Sequence, residues 1–394
     1  MTALRPPISD QQGIRQRLPG LLALALASCL AVTTEMLPIG LLPLIGATFG
    51  VADATTGLLV SLYALMVAVL AVPLTLVTAR FPRKPLLLAT LLCYALSNAV
   101  VAVAPTFAVM AAGRILGGIT HALFFSLCIG YVPRLVQGSQ VGRALSIATG
   151  GASAGFVLGV PVSTSLGTAI GWRISFGLLA ALAVATLLLV AWVLPAVSST
   201  TPPRPAENTS GRKDLVAVAA ANTLTYLGQF TLYTFISVLL LSSGAPPTLI
   251  GPVLLACGAC GLIGLWFAGR GLDRNPRRTT LVTLAIVVAA VAAFGVGFPA
   301  LIPVVLAAAV WNGAFGGVPL IYQACSVRTH AVSPELAGAW VNSTANIGIA
   351  GGSALGAALL PTLGLPALPW VAVTLIAVSL MLSMAARQAF PAQP

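Results

Sequence analysis

Apolar stretches long enough to cross a lipid bilayer recur along the entire chain, and they restrict its possible folds more than any other feature. A helix needs about 20 residues to cross a hydrocarbon core of about 30 Å. Of the 394 residues, 58% are hydrophobic and 7% are charged, and the mean hydropathy is +1.03. A water-soluble domain could not solvate its surface with so few charges. The sequence therefore predicts an all-α polytopic membrane protein.

Turn signals divide the chain into twelve predicted transmembrane helices. They are Pro19–Gly46, Thr56–Ala79, Pro85–Ala104, Thr106–Val132, Arg143–Ala169, Ser175–Leu194, Leu215–Leu241, Thr248–Gly269, Thr279–Val296, Ala300–Cys325, Leu336–Leu360 and Leu365–Ala386. Residues 196–214 are rich in Pro, Ser and Thr and are typical of a flexible cytoplasmic linker. The predicted organisation is a six-helix bundle in residues 1–195, this linker, and a second six-helix bundle in residues 215–394.

The distribution of basic residues predicts the orientation of the chain. The net charge is +12, but with the amino terminus in the cytoplasm 17 of the 19 Lys and Arg residues lie at cytoplasmic tails, loops or helix ends. They are Arg5, Arg15, Arg17, Arg80, Arg83, Lys84, Arg134, Arg143, Arg204, Arg212, Lys213, Arg270, Arg274, Arg277, Arg278, Arg328 and Arg387. Only Arg173 falls outside, and only Arg114 lies within the membrane. The positive-inside rule therefore predicts an inner (plasma) membrane protein with both termini in the cytoplasm, surrounded by lipid and not bound to nucleic acid.

The first apolar stretch and the cysteines allow other interpretations, which the surrounding residues disfavour. Leu26-Ala27-Ser28-Cys29 resembles a signal-cleavage site, but the apolar run continues past Cys29 and favours an uncleaved helix. All six cysteines lie within predicted helices, and Cys257-Gly-Ala-Cys260 has no His or carboxylate beside it. We therefore expect the cysteines to be small buried residues, and we expect no metal and no cofactor.

Two features repeat at nearly the same distance along the chain. The segment Ala79-Arg80-Phe81-Pro82-Arg83-Lys84 is matched 194 residues later by Asp273-Arg274-Asn275-Pro276-Arg277-Arg278. Glycines at four-residue spacing in the fifth helix (Gly151, Gly155, Gly159) recur 197 residues later in the eleventh (Gly348, Gly352, Gly356). The repeats indicate a duplicated six-helix unit with pseudo-symmetric halves. Small residues at this spacing are typical of close helix packing.

These features resemble those of the major facilitator superfamily, which also has an Arg in the fourth helix. "TTEMLPIGLLPLI", "GRILGGITHALFFSL" and "VLGVPVSTSLGTAIGWRISF" are similar to its drug:proton antiporter branch, in particular to bacterial sugar-efflux and chloramphenicol-efflux type transporters. The resemblance implies the major facilitator fold, a monomer, and a central cavity lined by helices one, four, seven and ten. It also implies a conformational or packing role for the basic loops (Arg80, Arg83, Asp273, Arg274 and Arg277) and for Pro161.

The chain departs from the family pattern at several positions. Ala79 and Pro82 stand where the loop motif usually has Asp and Gly, and only Asp273 in the second copy keeps the acid. The fifth helix carries Gly159-Val160-Pro161 in place of the usual Gly-Pro. The match to the antiporter signature is therefore partial.

Two oppositely charged residues are predicted to lie inside the membrane. With a rise of 1.5 Å per residue, Glu35 is about 16 Å and Arg114 about 12 Å below the outer surface. An isolated charge at this depth costs ~3 kcal/mol or more, so we expect a pair facing an internal cavity. His121 lies two turns after Arg114 on the same helix face, where Gly118 leaves room for a ligand or a helix.

The predicted pair has two interpretations. Burial favours a neutral carboxyl and a neighbouring guanidinium favours a charged one, so Glu35 could change protonation as the cavity opens alternately to each side. Protonation would release Arg114, and His121 could relay the proton or contact substrate. The alternative is a static Glu35–Arg114 bridge between the first and fourth helices, with His121 in a helix–helix hydrogen bond.

The second half carries polar residues in place of buried charges. Candidate substrate-binding residues are a stripe on one face of the seventh helix (Asn222, Tyr226, Gln229, Tyr233), a pair in the tenth (Trp311, Asn312) and a pair in the eleventh (Asn342, Asn346). Tyr94 and Asn98 in the third helix are weaker candidates. Amides, phenols and aromatic rings suit a neutral small molecule better than a strongly ionic one. The alternative is hydrogen bonding between helices.

No motif for hydrolysis, nucleotide binding or metal chemistry is present, and without a Walker-type loop ATP would not drive this protein directly. We therefore predict a transporter and not an enzyme. The favoured function is export of a drug or sugar-like solute in exchange for protons by alternating access. Two alternatives remain open: a proton-coupled uptake symporter or facilitator, and a non-transporting membrane receptor or scaffold.

Overall fold

The computed structural model describes residues 14–136, 140–197, 211–332 and 334–391. Most of the predicted linker, together with Arg5 and Arg204, lies outside these ranges. Within them, twelve helices are long and apolar enough to cross a membrane. The protein is therefore a multi-pass helical membrane protein, as the repeated apolar stretches predict.

Six of these helices precede the linker. They are α1 (Ile14–Phe49), α2 (Asp53–Val77), α3 (Arg83–Val103), α4 (Phe107–Tyr131), α5 (Val141–Ala154, continued by a π-helical turn Gly155–Gly159 and by Val160–Ile170) and α6 (Trp172–Val193). Short 3₁₀ turns, Thr78–Arg80 and Val132–Arg134, follow α2 and α4.

The other six helices follow the linker. They are α7 (Arg212–Tyr233 and Ile236–Ser242), α8 (Pro247–Leu272), α9 (Pro276–Gly297), α10 (Leu301–Phe315 and Val318–Arg328), α11 (Pro334–Leu363) and α12 (Leu368–Ala385, after a 3₁₀ turn Leu365–Ala367). Each predicted span coincides with one of the twelve helices, with ends displaced by a few residues.

Helices α5, α7 and α10 contain interruptions that the hydropathy pattern does not predict. In α5 a π-helical turn ends two residues before Pro161, whose missing N–H cannot pair with the carbonyl of Val157. In α10 the two segments join at Gly316-Gly317, shortly before Pro319. A Cβ on Gly316 would meet the main chain of Gly261 in α8, so this break lies at a close approach of two helices.

The repeated glycines lie where the first and fifth helices of each half approach each other. A Cβ on Gly151 or Gly155 would meet the main chain of α1, at Ala25 and Cys29 respectively. In the second half, a Cβ on Gly348 or Gly352 would meet the main chain of α7. Helix α5 thus packs on α1 as α11 packs on α7, which is the relation expected of a duplicated six-helix unit.

The repeated basic segments also occupy equivalent places. Lys84 Nζ donates a hydrogen bond of 2.8 Å to the carbonyl of Ala191 near the end of α6. Arg277 Nη2 donates one of 2.7 Å to the carbonyl of Met384 near the end of α12. In each half the loop after the second helix is therefore tied to the sixth. The other predicted loop residues differ in burial: Arg83 is buried, whereas Arg80, Asp273 and Arg274 are exposed.

Hydrogen bonds also connect the two halves. Ser237 Oγ in α7 donates to the carbonyl of Ile39 in α1 at 2.7 Å. That carbonyl has no helical partner, because the residue four positions later is Pro43. Ser343 Oγ in α11 donates to the carbonyl of Ala68 in α2 at 3.1 Å. The halves therefore contact through α1, α2, α7 and α11.

The α1–α5 contact generates a test with a matched control one residue away. We expect Gly151→Ala to destabilise the protein by about 1–3 kcal/mol, because the new methyl group must displace the main chain of α1. At Gly150 a Cβ meets nothing within 4 Å. Gly150→Ala should therefore be neutral or stabilising by up to about 1 kcal/mol. Thermal unfolding of the two purified variants in detergent measures the difference, and equal midpoints would contradict the packing.

Candidate functional site

The most deeply buried cation among the described residues is held by main-chain oxygens. Arg114, in the middle of α4, has 1% of its surface exposed. Its Nη1 donates to the carbonyl of Thr34 at 2.6 Å and its Nη2 to the carbonyl of Glu35 at 2.7 Å. Its Nε lies 3.4 Å from the carbonyl of Leu59 in α2. The guanidinium carbon is 4.3 Å from the ring centroid of Tyr63, a cation–π distance.

The sequence of α1 explains why a carbonyl is available in the middle of a helix. Pro38 lies four residues after Thr34 and has no N–H, so it cannot donate the usual helical hydrogen bond to the Thr34 carbonyl. In a membrane an unpaired carbonyl is costly, and so is an unpaired guanidinium. The hydrogen bond between Arg114 and Thr34 satisfies both groups and joins α4 to α1.

The Glu35 side chain points to a different partner. Its Oε2 lies 3.7 Å from His121 Nε2, and its Oε1 has no hydrogen-bond partner among the described residues. The other ring nitrogen of His121, Nδ1, is 2.9 Å from the hydroxyl of Tyr63. All three side chains are largely buried. Glu35, His121 and Tyr63 therefore form a continuous polar chain across α1, α4 and α2.

This arrangement differs from the expected side-chain pair between Glu35 and Arg114. Within the part of the chain that the structure describes, no nitrogen of Arg114 lies within 4.0 Å of the Glu35 carboxylate oxygens. The guanidinium is instead bound to the main chain of the same residue. The physical reason is the free Thr34 carbonyl, which with the adjacent Glu35 carbonyl offers two acceptors to the planar guanidinium. A change in the protonation of Glu35 would therefore leave these bonds of Arg114 in place.

Two contributors to this cluster were not singled out from the sequence. Tyr63 contacts both Arg114 and His121, but in the sequence it is one tyrosine within an apolar helix. Pro38 was visible in the motif "TTEMLPIG", and its position four residues after Thr34 was the available signal. Asn98, a weaker candidate, donates to Thr34 Oγ1 at 3.1 Å and connects α3 to the same turn of α1.

The polar stripe of α7 is divided between two kinds of environment. Asn222 Nδ2 donates to the Val341 carbonyl and to Thr344 Oγ1 in α11, both at 2.8 Å. Gln229 Oε1 accepts a 2.6 Å hydrogen bond from Trp311 Nε1 in α10. These two stripe residues thus make the helix–helix hydrogen bonds that were the alternative to ligand binding.

The aromatic members of the stripe pack in a second way. Tyr233 lies edge-on to Trp311 and stacks on Phe156 of the first half, with ring centroids 5.9 and 6.0 Å apart. Tyr226, partly exposed, stacks on Phe230 with centroids 6.3 Å apart. Tyr233 therefore lies where the two halves meet.

The amides of α10 and α11 make mostly local hydrogen bonds. Asn312 Nδ2 donates to the Ala308 carbonyl at 2.9 Å, and Asn346 Nδ2 donates to the Asn342 carbonyl at 3.0 Å. The Oδ1 atoms of Asn222 and Asn346 have no hydrogen-bond partner in the described ranges. These two oxygens are therefore buried acceptors without a partner, and the neighbouring Asn342 is partly exposed.

The described residues contain no group of three or more His, Cys, Asp and Glu side chains that could hold a metal ion. Cys257 and Cys260 are free thiols in α8. The candidate site is therefore made of one carboxyl, one histidine, one arginine and neutral polar groups.

The two carbonyl bonds of Arg114 generate a stability test. We expect Arg114→Lys to lose one of them, because an ammonium cannot span two acceptors as a planar guanidinium does. Hydrogen bonds to charged groups contribute about 1.5–3 kcal/mol each, so thermal unfolding in detergent should occur at a clearly lower temperature. Arg212→Lys, at the exposed start of α7, is the control and should be near neutral. Equal unfolding temperatures would contradict the assignment of these bonds.

Comparison with known protein sequences identifies relatives over most of the chain. The sequence model of the Major Facilitator Superfamily matches residues 24–339. A Mycobacterium tuberculosis (strain H37Rv) protein named chloramphenicol efflux pump is 33% identical over 349 residues, which cover 85% of this chain and 84% of the relative. A Mannheimia succiniciproducens protein named probable sugar efflux transporter is 27% identical over 373 residues, or 91% of each chain.

A solved structure shows the same fold. A bacterial homologue of the human lysosomal transporter Spinster, in an inward-facing and unoccupied conformation, matches with a TM-score of 0.76. The match covers 96% of this chain and 98% of the other at 15% identity, so it supports the fold alone. Because the family match spans most of the sequence, the chain belongs to the major facilitator superfamily and is a membrane transporter, not an enzyme.

Proposed function

We propose that this transporter exports a small organic solute, drug-like or sugar-like, in exchange for protons by alternating access. In this proposal it acts as a monomer in the inner membrane with both termini in the cytoplasm. Residues 1–195 and 215–394 move relative to each other, and residues 196–214 connect them. Glu35, Arg114 and His121 couple the movement to protons, and the polar residues of α7, α10 and α11 bind the solute.

The observation that carries the proposal is the unpartnered Glu35 Oε1 beside a separately anchored Arg114. If the Glu35 carboxylate had to hold Arg114 in place, its protonation would release Arg114 and open the contact between α1 and α4. Here the guanidinium is bound by carbonyls, so Glu35 can gain and lose a proton while α1 and α4 remain joined. Intramembrane ionisable residues in such surroundings are functional sites by default.

The chain of polar groups beside Glu35 supplies a route for the proton. Tyr63 can donate its hydroxyl hydrogen to Nδ1 of His121, which leaves Nε2–H facing the Glu35 carboxylate at 3.7 Å. In the protonated state of Glu35 this interaction weakens, because the imidazole then faces a neutral acid. Loss of the proton restores the charge, and the protein alternates between the two states as the cavity opens to each side.

Neutral polar groups in the second half are suited to hold the solute. The free Oδ1 atoms of Asn222 and Asn346 are acceptors, and the partly exposed Tyr226 and Asn342 add a phenol and an amide. Tyr233 and Trp311, whose rings contact each other, supply aromatic groups. Such a surface fits an uncharged molecule with hydroxyl or amide donors. The names of the relatives, chloramphenicol efflux pump and sugar efflux transporter, agree with this class.

Replacement of Glu35 by Gln tests the proton role. In proteoliposomes with an imposed pH gradient, the unaltered protein should accumulate labelled chloramphenicol or a labelled neutral sugar against its concentration gradient. Glu35→Gln should reduce this accumulation to the level seen without a pH gradient, because an amide cannot take up a proton. It should retain exchange of labelled for unlabelled solute, which needs binding and alternation but no proton.

Asp214→Asn is the matched control, since it removes a carboxylate at the start of α7 and should leave pH-driven accumulation unchanged. Unchanged accumulation in Glu35→Gln would show that the carboxyl does not carry the proton. The direction of solute movement relative to the pH gradient distinguishes export from uptake. Binding of a solute without any flux would identify a receptor in place of a transporter.

Cells with and without the gene provide the test of substrate class. We expect the producing cells to tolerate higher concentrations of one or more neutral drugs or toxic sugar analogues, and the Glu35→Gln variant to lose this tolerance. A panel that includes strongly ionic compounds serves as the comparison, because the site has no free fixed charge in its second half. Tolerance confined to ionic compounds would contradict the proposed substrate class.

A further inference from the structure

A groove of about 730 Å³ lies on the outer surface of the second half, between α8, α9 and α10. Its volume is within the range of about 300–1,000 Å³ found for ligand pockets. The α8 side includes Ile263 and Phe267, and the α9 side includes Val282 and Ile286. All four side chains are more than two-fifths exposed, as expected of surfaces that face lipid. An apolar outer surface is normal in a membrane protein, but a deep concave one is not required by the fold.

The depth of the groove comes from small residues beneath it. Its floor on α10 consists of Ala309, Gly313 and Ala314, and Gly264 contributes from α8. A Cβ on Gly264 would meet the carbonyl of Gly313, so α8 and α10 are in main-chain contact at this point. Helices that approach this closely leave little side-chain volume above their contact. The result is a channel along the helices instead of a flat face.

The length of the groove corresponds to one leaflet of a bilayer. Its apolar part runs along α8 from Cys260 to Gly271, and the eleven helical steps between these residues span about 16 Å. This is about half of the ~30 Å hydrocarbon core. The groove ends at the loop between α8 and α9, which the distribution of basic residues places at the cytoplasmic surface.

The end of the groove at this surface is basic. Arg274 and Arg278 line it, together with Asn275 and Thr279. Within the described ranges, neither guanidinium has a hydrogen-bond or ion-pair partner, and both are exposed. The neighbouring Arg277 is turned away and donates to the Met384 carbonyl. Asp273, exposed beside Arg274, is the one acid of this loop, so the mouth of the groove keeps a net positive charge.

We propose that this groove binds an anionic phospholipid of the cytoplasmic leaflet. The acyl chains lie in the apolar channel between α8 and α9, and the headgroup phosphate lies between Arg274 and Arg278. Charge complementarity identifies the occupant. A neutral detergent has no anionic group, and the ammonium of a zwitterionic lipid offsets the charge of its own phosphate, whereas a lipid with a net negative charge compensates the two guanidinium groups. The site is separate from the polar cluster of α1, α2 and α4, and it does not depend on which solute is transported.

Native mass spectrometry of the full-length protein in detergent tests the proposal. Phosphatidylglycerol and phosphatidylcholine with identical acyl chains are added in turn, and bound lipid is counted at each concentration. Phosphatidylglycerol should bind more tightly. The double variant Arg274→Gln, Arg278→Gln should weaken its binding about 25-fold, since each basic residue near an anionic lipid surface contributes roughly a factor of five. Phosphatidylcholine binding should change little.

Two further variants separate this site from general charge attraction. Arg212→Gln, Lys213→Gln removes the same charge from the start of α7 and should leave phosphatidylglycerol binding within about two-fold of that of the unaltered protein. Ala309→Phe fills the floor of the channel and should weaken binding with both arginines present; Thr283→Phe, on the α9 wall, replaces it if Ala309→Phe does not fold. Equal binding of the two lipids, or an equal loss in the α7 control, would overturn the proposal.

Discussion

A buried guanidinium is the constraint around which the first half is organised. Arg114 lies in the middle of a transmembrane helix, where an unpaired charge would cost ~3 kcal/mol or more. The protein meets this cost with carbonyl oxygens of α1, one of which is free because Pro38 cannot donate to it. A proline that would weaken an isolated helix therefore becomes the means of joining two helices. The same device recurs at Pro43, where the freed Ile39 carbonyl accepts Ser237 from the other half.

This anchoring separates two roles that a simple ion pair would combine. Because Arg114 is held by the main chain, it remains a fixed positive charge whatever the state of Glu35. The carboxyl is then left beside His121 with one oxygen unpartnered. The proposed proton coupling needs a group that can change charge and a scaffold that does not change with it. The geometry of α1 and α4 is suited to both requirements.

The two sets of six helices share some packing contacts and differ in their polar interiors. Both halves have the same glycine contacts between their first and fifth helices, and both tie a basic loop to their sixth helix. Among the described residues, the buried charged side chains lie in the first half, whereas α7 carries buried amides and aromatic rings. Similar glycine contacts therefore occur in both halves, while the polar interior differs between them. The groove with its two free arginines likewise belongs to the second half.

The sequence alone was sufficient for the twelve helices and the family, because hydropathy, helix length and short motifs are properties of neighbouring residues. It also located Glu35, Arg114 and His121, since charges within apolar runs are rare. Their partners were not predicted. Arg114 binds main-chain carbonyls and not the Glu35 side chain, and Tyr63 of α2, which no sequence pattern singled out, contacts His121. Likewise, the α7 stripe was evident from its spacing, but its division into amides bonded to other helices and tyrosines packed on aromatic rings was not. Such choices depend on which acceptors lie within about 3 Å of a donor after the helices have packed. Local sequence does not contain those distances, and only the tertiary structure determined them.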